Sequence, residues 1–129
     1  MGFNYNMDIK TRDEMIFGKY EPDKYFGGVR YFKGMTVKLL KELVDNGFAD
    51  PEECQNYSPS VAEFIEFMEG WDGYRVNGYV VTDKRDDYRV SVEAIEKNGV
   101  IETKEELVDF VETFRFADDF ETDGYAWWD

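Results

Sequence analysis

Acidic side chains are the groups in this sequence with the greatest capacity for chemistry. There are 29 Asp and Glu residues against 15 Lys and Arg, with no His, for a formal net charge of −14. Histidine is the usual base of nucleophilic triads and the commonest transition-metal ligand. Its absence argues against both a catalytic triad and a transition-metal site. Neither a GxxxxGK[ST] phosphate loop nor a GxGxxG fingerprint is present. We therefore expect a protein that is not an enzyme and uses no metal and no cofactor.

Carboxylates are concentrated on two predicted helices, at spacings that place them in ridges. The six ridge residues are Glu63, Glu66 and Glu69 on one helix, and Glu105, Asp109 and Glu112 on the other. Carboxylates one helical turn apart are separated by about 5 to 6 Å, close to the roughly 7 Å between neighbouring phosphates. Two such helices side by side could imitate a DNA strand, so we interpret all six as partner-binding residues. Ordinary solvated helix faces are the alternative.

Other acidic arrangements indicate weaker possibilities. Residues 119–124 approximate the first half of a calcium loop, but the bidentate acid expected after Gly124 would fall beyond residue 129. Paired carboxylates could also serve a glycosidase, although no motif selects two of them. Cys54 lies beside Asp50 and Glu53, which would raise the pKa of its thiol, and we interpret it as a partly buried or loop residue.

Composition and charge distribution predict a folded, single domain spanning residues 1–129. The chain is 43% hydrophobic and 18% aromatic, too much for a disordered acidic protein. Residues 42–73 carry nine acids and no base, and residues 102–129 carry ten acids and two bases, whereas residues 1–41 have net charge +3. This balance predicts attraction to basic protein surfaces and repulsion from nucleic acids and anionic membranes. The absence of a long apolar run and the single cysteine favour the cytoplasm.

Local signals predict the elements that must position these acids. We expect short strands around Asp8 and over residues 29–32, and then a helix capped by Thr36 and ended at Asn46-Gly47. A second helix is predicted from Ser58-Pro59 to Glu69, with Ser58 as the cap and Gly70 as the stop.

The second half of the chain predicts a hairpin and a third helix. Two β-rich segments within residues 74–96 flank a loop at residues 83–87, whose mixed charges predict internal salt bridges. Thr103 and Glu106 form a capping box ahead of an apolar stripe that begins at Leu107. The aromatic tail predicts a short strand or a packed terminal segment. The fold class is therefore α+β, with about three helices packed on a small, mainly antiparallel sheet whose centre is the hairpin.

Several stretches together resemble small acidic proteins encoded on conjugative and phage-like elements of gut bacteria. They are YFKGMTVKLLKELVDNGFADPEECQN, SPSVAEFIEFME, NGYVVTDKRDDYRVSVEAIE and FRFADDF. The resemblance covers roughly residues 25–129. It rests on the general character of the sequence and not on a functional motif, so it identifies no site residues. Small acidic proteins of mobile elements include DNA mimics that block restriction enzymes and anti-CRISPR proteins. The resemblance thus implies an inhibitor of a DNA-binding or defence nuclease.

Aromatic residues offer a second interpretation, that of an interaction or scaffold module. Trp and Tyr are favoured anchors at protein interfaces. In this interpretation the partner would be held by exposed Trp71, Tyr125, Trp127 and Trp128. A mimic should lose its partner steeply as salt rises, whereas an aromatic interface should respond little.

Overall fold

A computed structural model describes residues 2–129. Within them the helices are α1 (Ile9–Phe17), α2 (Val37–Asp45), α3 (Val61–Gly70) and α4 (Lys104–Phe114), and a short 3-10 helix spans Pro22–Lys24. The strands are β1 (Val29–Met35), β2 (Tyr74–Val81), β3 (Val90–Lys97), β4 (Asp119–Glu121) and β5 (Tyr125–Trp127). They form one sheet in the order β1-β2-β3-β5-β4, and every pairing is antiparallel. The predicted α+β class is confirmed, with one α-helix more than expected.

The additional helix is α1, where the prediction of a strand around Asp8 was wrong. Asp8 is the N-cap of α1: its carboxylate accepts hydrogen bonds from the Thr11 backbone N–H at 3.3 Å and the Thr11 hydroxyl at 2.7 Å. Gly18 ends the helix in the left-handed conformation, with φ of 85°. The inward face of α1 carries the charged residues Arg12 and Asp13, so hydrophobic periodicity does not reveal it.

The starts of α2 and α3 show how far capping signals locate a helix. Thr36 caps α2 as predicted, accepting from the Leu39 N–H at 3.2 Å. The start predicted for α3 was two residues early, because the cap is Ser60 and not Ser58. Ser60 and Glu63 form a reciprocal capping box, which satisfies two backbone donors at once. Gly70 is the last helical residue, and Trp71 takes the C-cap position.

Helix α4 begins at its predicted cap but is rotated relative to its predicted apolar stripe. Thr103 accepts from the Glu106 N–H at 3.1 Å. The Glu106 side chain, however, is buried and accepts hydrogen bonds from Tyr74 Oη at 2.9 Å and Lys97 Nζ at 2.8 Å. With Glu106 facing inward, Leu107 lies on the solvent side, 36% exposed. The assignment of Leu107 to the core was therefore wrong.

Two β-bulges keep the apolar face of the sheet continuous around Gly78. In β1, Phe32 lies opposite Gly78 and Met35 lies opposite Val76, so β1 has one extra residue between them. In β3, Val92 lies opposite Gly78 while Ala94 lies opposite Asn77, which leaves Glu93 as the extra residue. Each bulge shifts the side-chain alternation by one residue, which returns later apolar residues to the core side.

The core lies between this apolar face and the helices, and it is rich in aromatic rings. Leu40 and Leu43 of α2 join β-branched residues of β2 and β3, such as Val76 and Ile95, all of them fully buried. Aromatic side chains of α3, β2, α4 and the segment after β5 fill the remainder; they are Phe64, Phe67, Tyr74, Phe110, Phe114 and Trp128. Large, nearly rigid rings therefore fix how α3 lies against α4.

A polar cluster is buried where α1 meets the end of β2. Arg12 and Asp13 are both 0% exposed. The Arg12 guanidinium donates to Asp13 Oδ1 at 2.9 Å, to the Val81 carbonyl oxygen at 3.0 Å and to Tyr25 Oη at 2.6 Å. Tyr25 in turn donates to Asp13 Oδ2 at 2.5 Å. Arg12 is thus paired on all three of its nitrogens, as a buried charge requires.

The loop between β2 and β3 contains the internal ion pairs that its mixed charges predict. Asp87 accepts from Arg85 at 2.5 Å and from Arg89 at 2.9 Å. The hydrogen bonds from Arg85 and Arg89 lower the pKa of Asp87 to about 2. The charges of Arg85 and Arg89 are therefore used within the molecule.

Three tyrosines, of which Tyr74 is buried and Tyr5 and Tyr25 are partly buried, make the fold sensitive to alkaline pH. Burial raises the pKa of Tyr5, Tyr25 and Tyr74 above the ordinary value of 10.0, and hydrogen bonds to Asp13 and Glu106 raise the pKa of the last two further. Above pH 10 the unfolded chain ionises while the folded state keeps these phenols neutral, so stability is lost as pH rises. The expected slope is at most about 1.4 kcal/mol per pH unit per tyrosine, reduced by solvent screening.

Denaturant unfolding between pH 8 and pH 11 measures this loss. Tyr74→Phe removes one raised pKa and should make the decline shallower. A free energy of unfolding that stays constant to pH 11 would contradict the prediction.

Candidate functional site

Helices α3 and α4 lie side by side because their inner faces interlock through phenylalanine rings. The ring of Phe67 lies edge-on to Phe114 at 4.8 Å and to Phe110 at 6.1 Å, and Phe64 stacks on Phe114 at 5.6 Å. Glu63 and Glu66 of α3 and Asp109 of α4 lie beside Phe67 at the edge of this packing, whereas Glu106 of α4 faces inward. The packing therefore brings acids from both predicted ridges to one surface of the molecule.

Three of the six predicted residues border a common crevice between the two helices. The crevice has a volume of about 240 Å³, and its acidic lining is Glu63 and Glu66 of α3 with Asp109 of α4. Phe67 and Thr113 also line it. The sequence predicted the acidic faces but could not show that they adjoin.

Two of the crevice carboxylates are held in place by internal hydrogen bonds. Asp109 Oδ2 accepts from the indole N–H of Trp71 at 2.7 Å, and Asp109 Oδ1 accepts from the Thr113 hydroxyl at 3.4 Å. Glu63 Oε1 accepts from the Ser60 backbone N–H at 2.9 Å as part of the capping box. Asp109 and Glu63 are thus positioned acids whose removal would also disturb local structure.

The remaining acids of α4 border a shallow hollow on its outer face. This hollow of about 470 Å³ is lined by Glu105, Asp109 and Glu112 together with Val108 and Lys104. Val108 is 44% exposed, and the sequence analysis did not single it out. Asp109 borders both the hollow and the crevice, so the two form one continuous surface, which we call the α3–α4 acidic surface.

Glu69, the remaining predicted partner-binding residue, borders neither the crevice nor the hollow. Its carboxylate forms an ion pair with Lys41 of α2 at 2.6 Å. Lys41 belongs to the basic N-terminal third of the chain, which therefore neutralises one acid of α3. Across residues 2–129, Glu66, Glu105 and Glu112 make no side-chain hydrogen bond or ion pair. These three are the acids most available to a partner.

The other chemical candidates do not form sites. Nowhere in residues 2–129 do three or more acidic or cysteine side chains lie close enough to hold a metal ion, and the acidic turn at residues 119–124 is no exception. Cys54 is an exposed loop residue. Partial burial and the nearby carboxylate of Glu53 raise the pKa of its thiol, which disfavours the reactive thiolate.

The aromatic residues proposed as an exposed interface are largely engaged within the fold. Trp128 is 2% exposed and packs edge-on to Phe64 at 5.6 Å, so its assignment to an exposed patch was wrong. Trp71, Tyr125 and Trp127 are partly buried. Trp71 instead orients Asp109, a role that sequence spacing did not indicate.

Comparisons with known proteins give no further constraint on the site. No helix within residues 2–129 has the length and apolar character needed to cross a bilayer. No protein-family model matches the chain, and neither a curated protein nor a solved structure matches it.

Proposed function

We propose that this protein is a non-enzymatic inhibitor that binds the basic, nucleic-acid-binding surface of another protein. Its α3–α4 acidic surface takes the place of a DNA strand, and its target is a DNA-binding or defence nuclease of the restriction or CRISPR type in the bacterial cytoplasm. The observation that carries the proposal is the adjacency of Glu63, Glu66 and Asp109 across one crevice.

The spacing and availability of the acids support this proposal. Along each helix, the Cβ atoms of acids one turn apart lie about 5 to 6 Å from each other, which allows their carboxylates to follow the spacing of phosphates on a strand. Glu66, Glu105 and Glu112 have no internal partner among the described residues, so they keep their full charge for a basic groove. Opposite charges on the two proteins would also accelerate their encounter.

Repulsion between the acids of this surface also supports a binding function. Like charges one turn apart destabilise a helix by a few tenths of a kcal/mol per pair. Glu105, Asp109 and Glu112 accumulate this cost on α4 while only Lys104 offsets it within the hollow. A binding function accounts for retaining such a surface, because local rules are violated most often where function requires it.

Reversing the three available charges should abolish binding without unfolding the protein. The variant Glu66→Lys, Glu105→Lys, Glu112→Lys changes the net charge from −14 to −8 and leaves the hydrogen bonds of Asp109 and Glu63 intact. We expect affinity for the target to fall at least about 100-fold. The target is first captured from a bacterial lysate at low salt, eluted with a salt gradient and identified by mass spectrometry, and the affinities are then measured by calorimetry.

A matched variant separates local recognition from overall charge. Glu14→Lys, Asp23→Lys, Asp86→Lys makes the same change in net charge at exposed acids outside α3, α4 and the loop that precedes α3. This control should keep most of the affinity. Between about 0.15 M and about 1 M salt, wild-type affinity should fall at least tenfold, because exposed charges are screened. Equal loss in both variants, or a partner retained at high salt, would contradict the proposal.

A further inference from the structure

A second groove lies on the opposite side of α4 from the crevice. It has a volume of about 730 Å³ and is bordered by the β3–α4 connection, the start of α4 and the turn between β4 and β5. Its apolar lining comes from Val100, Ile101, Leu107 and Tyr125. Val100 is 70% exposed and Leu107 is the residue turned outward by the rotation of α4. Apolar side chains thus face solvent in a concave site, an arrangement typical of binding clefts.

The base of this groove is built rigidly around Lys97. The Lys97 backbone N–H donates to the Gly124 carbonyl oxygen at 2.7 Å, which ties β3 to the β4–β5 turn. Gly124 has φ of 110°, and a Cβ added there would lie 2.5 Å from Lys97 Cβ, so only glycine permits this approach. Lys97 Nζ donates to Glu106 Oε2 at 2.8 Å and to the Asp72 carbonyl oxygen at 2.6 Å. The groove is therefore formed before any partner arrives, which lowers the entropic cost of binding.

The rim of the groove is acidic and its charges are unpaired. Four carboxylates border it: Glu96, Glu102, Glu121 and Asp123. In the part of the chain that the structure describes, none of the four forms an ion pair or a side-chain hydrogen bond. The charge of Lys97 is already used by Glu106, so Lys104 alone offsets the four acids. A negative rim around an apolar floor is complementary to an apolar side chain flanked by cations.

We propose that this groove docks a basic segment of a partner protein in which one aliphatic residue is flanked by lysine or arginine. The aliphatic side chain packs against Val100, Ile101 and Leu107, and the neighbouring cations meet the carboxylates of the rim. Phosphate-bearing ligands are disfavoured because four carboxylates would face them. The groove shares only Lys104 with the outer hollow of α4, so the inference does not depend on the α3–α4 acidic surface.

The test uses short synthetic peptides and the full chain. One peptide has a single leucine flanked by lysines and arginines, a second has serine in place of the leucine, and a third has glutamates in place of the basic residues. When the first peptide is added to ¹⁵N-labelled protein, the amide NMR resonances of Val100, Leu107 and Gly124 should shift. Affinity for the serine peptide should be at least about tenfold weaker, and the glutamate peptide should not bind.

Two variants show whether the groove is responsible. Val100→Ser with Leu107→Ser removes the apolar floor of the groove, and affinity for the leucine peptide should fall at least about tenfold. Leu107 is only 36% exposed, so we expect some loss of stability but a protein that still folds. Val108→Ser makes a similar change on the neighbouring face of α4, outside the groove, and should leave affinity unchanged. Thermal unfolding of each variant verifies that the fold is intact.

Several outcomes would overturn the inference. These are equal affinity for the leucine and serine peptides, unchanged affinity in the double serine variant, shifts confined to the α3–α4 crevice, or no binding at millimolar peptide. Shifts that depend on protein concentration without peptide would assign the groove to a second copy of the chain. The leucine peptide should bind equally well to the charge-reversal variant Glu66→Lys, Glu105→Lys, Glu112→Lys and to the control variant with the same net charge described under the proposed function. This comparison separates failure of the groove from failure of the proposed inhibitor function.

Discussion

Gly78→Ala is expected to lower the free energy of unfolding by about 3 kcal/mol or more, a large fraction of the roughly 5–15 kcal/mol that stabilises a typical domain. A Cβ at this position would overlap the Ser91 carbonyl oxygen of the adjacent strand and lie 2.8 Å from Phe32 Cζ. This carbonyl oxygen is part of the backbone of β3, so it cannot rotate away as a flexible side chain could. Phe32 is buried in the core, so it has little room to move.

A matched glycine should respond in the opposite direction. Gly70 ends α3, and nothing lies within 4 Å of the position that its Cβ would occupy. Gly70→Ala should therefore stabilise the protein by roughly 0.5–1 kcal/mol, because alanine has the higher helix propensity. Urea unfolding followed by circular dichroism measures both changes. A Gly78→Ala variant as stable as the wild type would show that the strands around Gly78 can separate.

Arg12→Met should destabilise the protein by about 3–5 kcal/mol. The substitution preserves much of the side-chain volume but removes the hydrogen bonds to Asp13, the Val81 carbonyl oxygen and Tyr25. Asp13 then remains fully buried, with Tyr25 as its single donor. The loss thus arises chiefly from a buried carboxylate without its cation.

A double variant distinguishes this explanation from a simple loss of packing. Arg12→Met with Asp13→Leu removes both charges, so it should recover at least half of the stability lost in Arg12→Met alone. Thermal and urea unfolding of the wild type, both single variants and the double variant complete the cycle. Additive losses from the two substitutions would contradict the explanation.

The fold could be predicted from the sequence where its signals are local. Thr36 caps α2 and Thr103 caps α4, and two β-rich segments flank the loop at residues 83–87. Helix α1 could not be predicted in this way, because Arg12 and Asp13 occupy its buried face and pair with each other. Their burial is a tertiary effect, and it overrides the hydrophobic pattern on which the prediction relied.

The candidate site shows the same division between local and tertiary information. Helical spacing placed the six acids on two ridges, and the structure brings Glu63, Glu66 and Asp109 together. The pairing of Glu69 with Lys41 joins residues far apart in sequence, so spacing could not reveal it. The outward position of Leu107 follows from Glu106, whose hydrogen bonds to β2 and β3 set the rotation of α4.

The position of β5 in the sheet has a consequence for how the chain is made. β4 pairs only with β5, and β5 must first find β3, in a pairing that joins Ala94 to Trp127. On the ribosome, β2 and β3 emerge before β5, so the edge of β3 is unpaired until β5 has also left the ribosome. Such edges recruit strands from other chains, and contacts distant in sequence form slowly. The nascent chain therefore passes through an aggregation-prone interval that ends only when β5 has paired with β3.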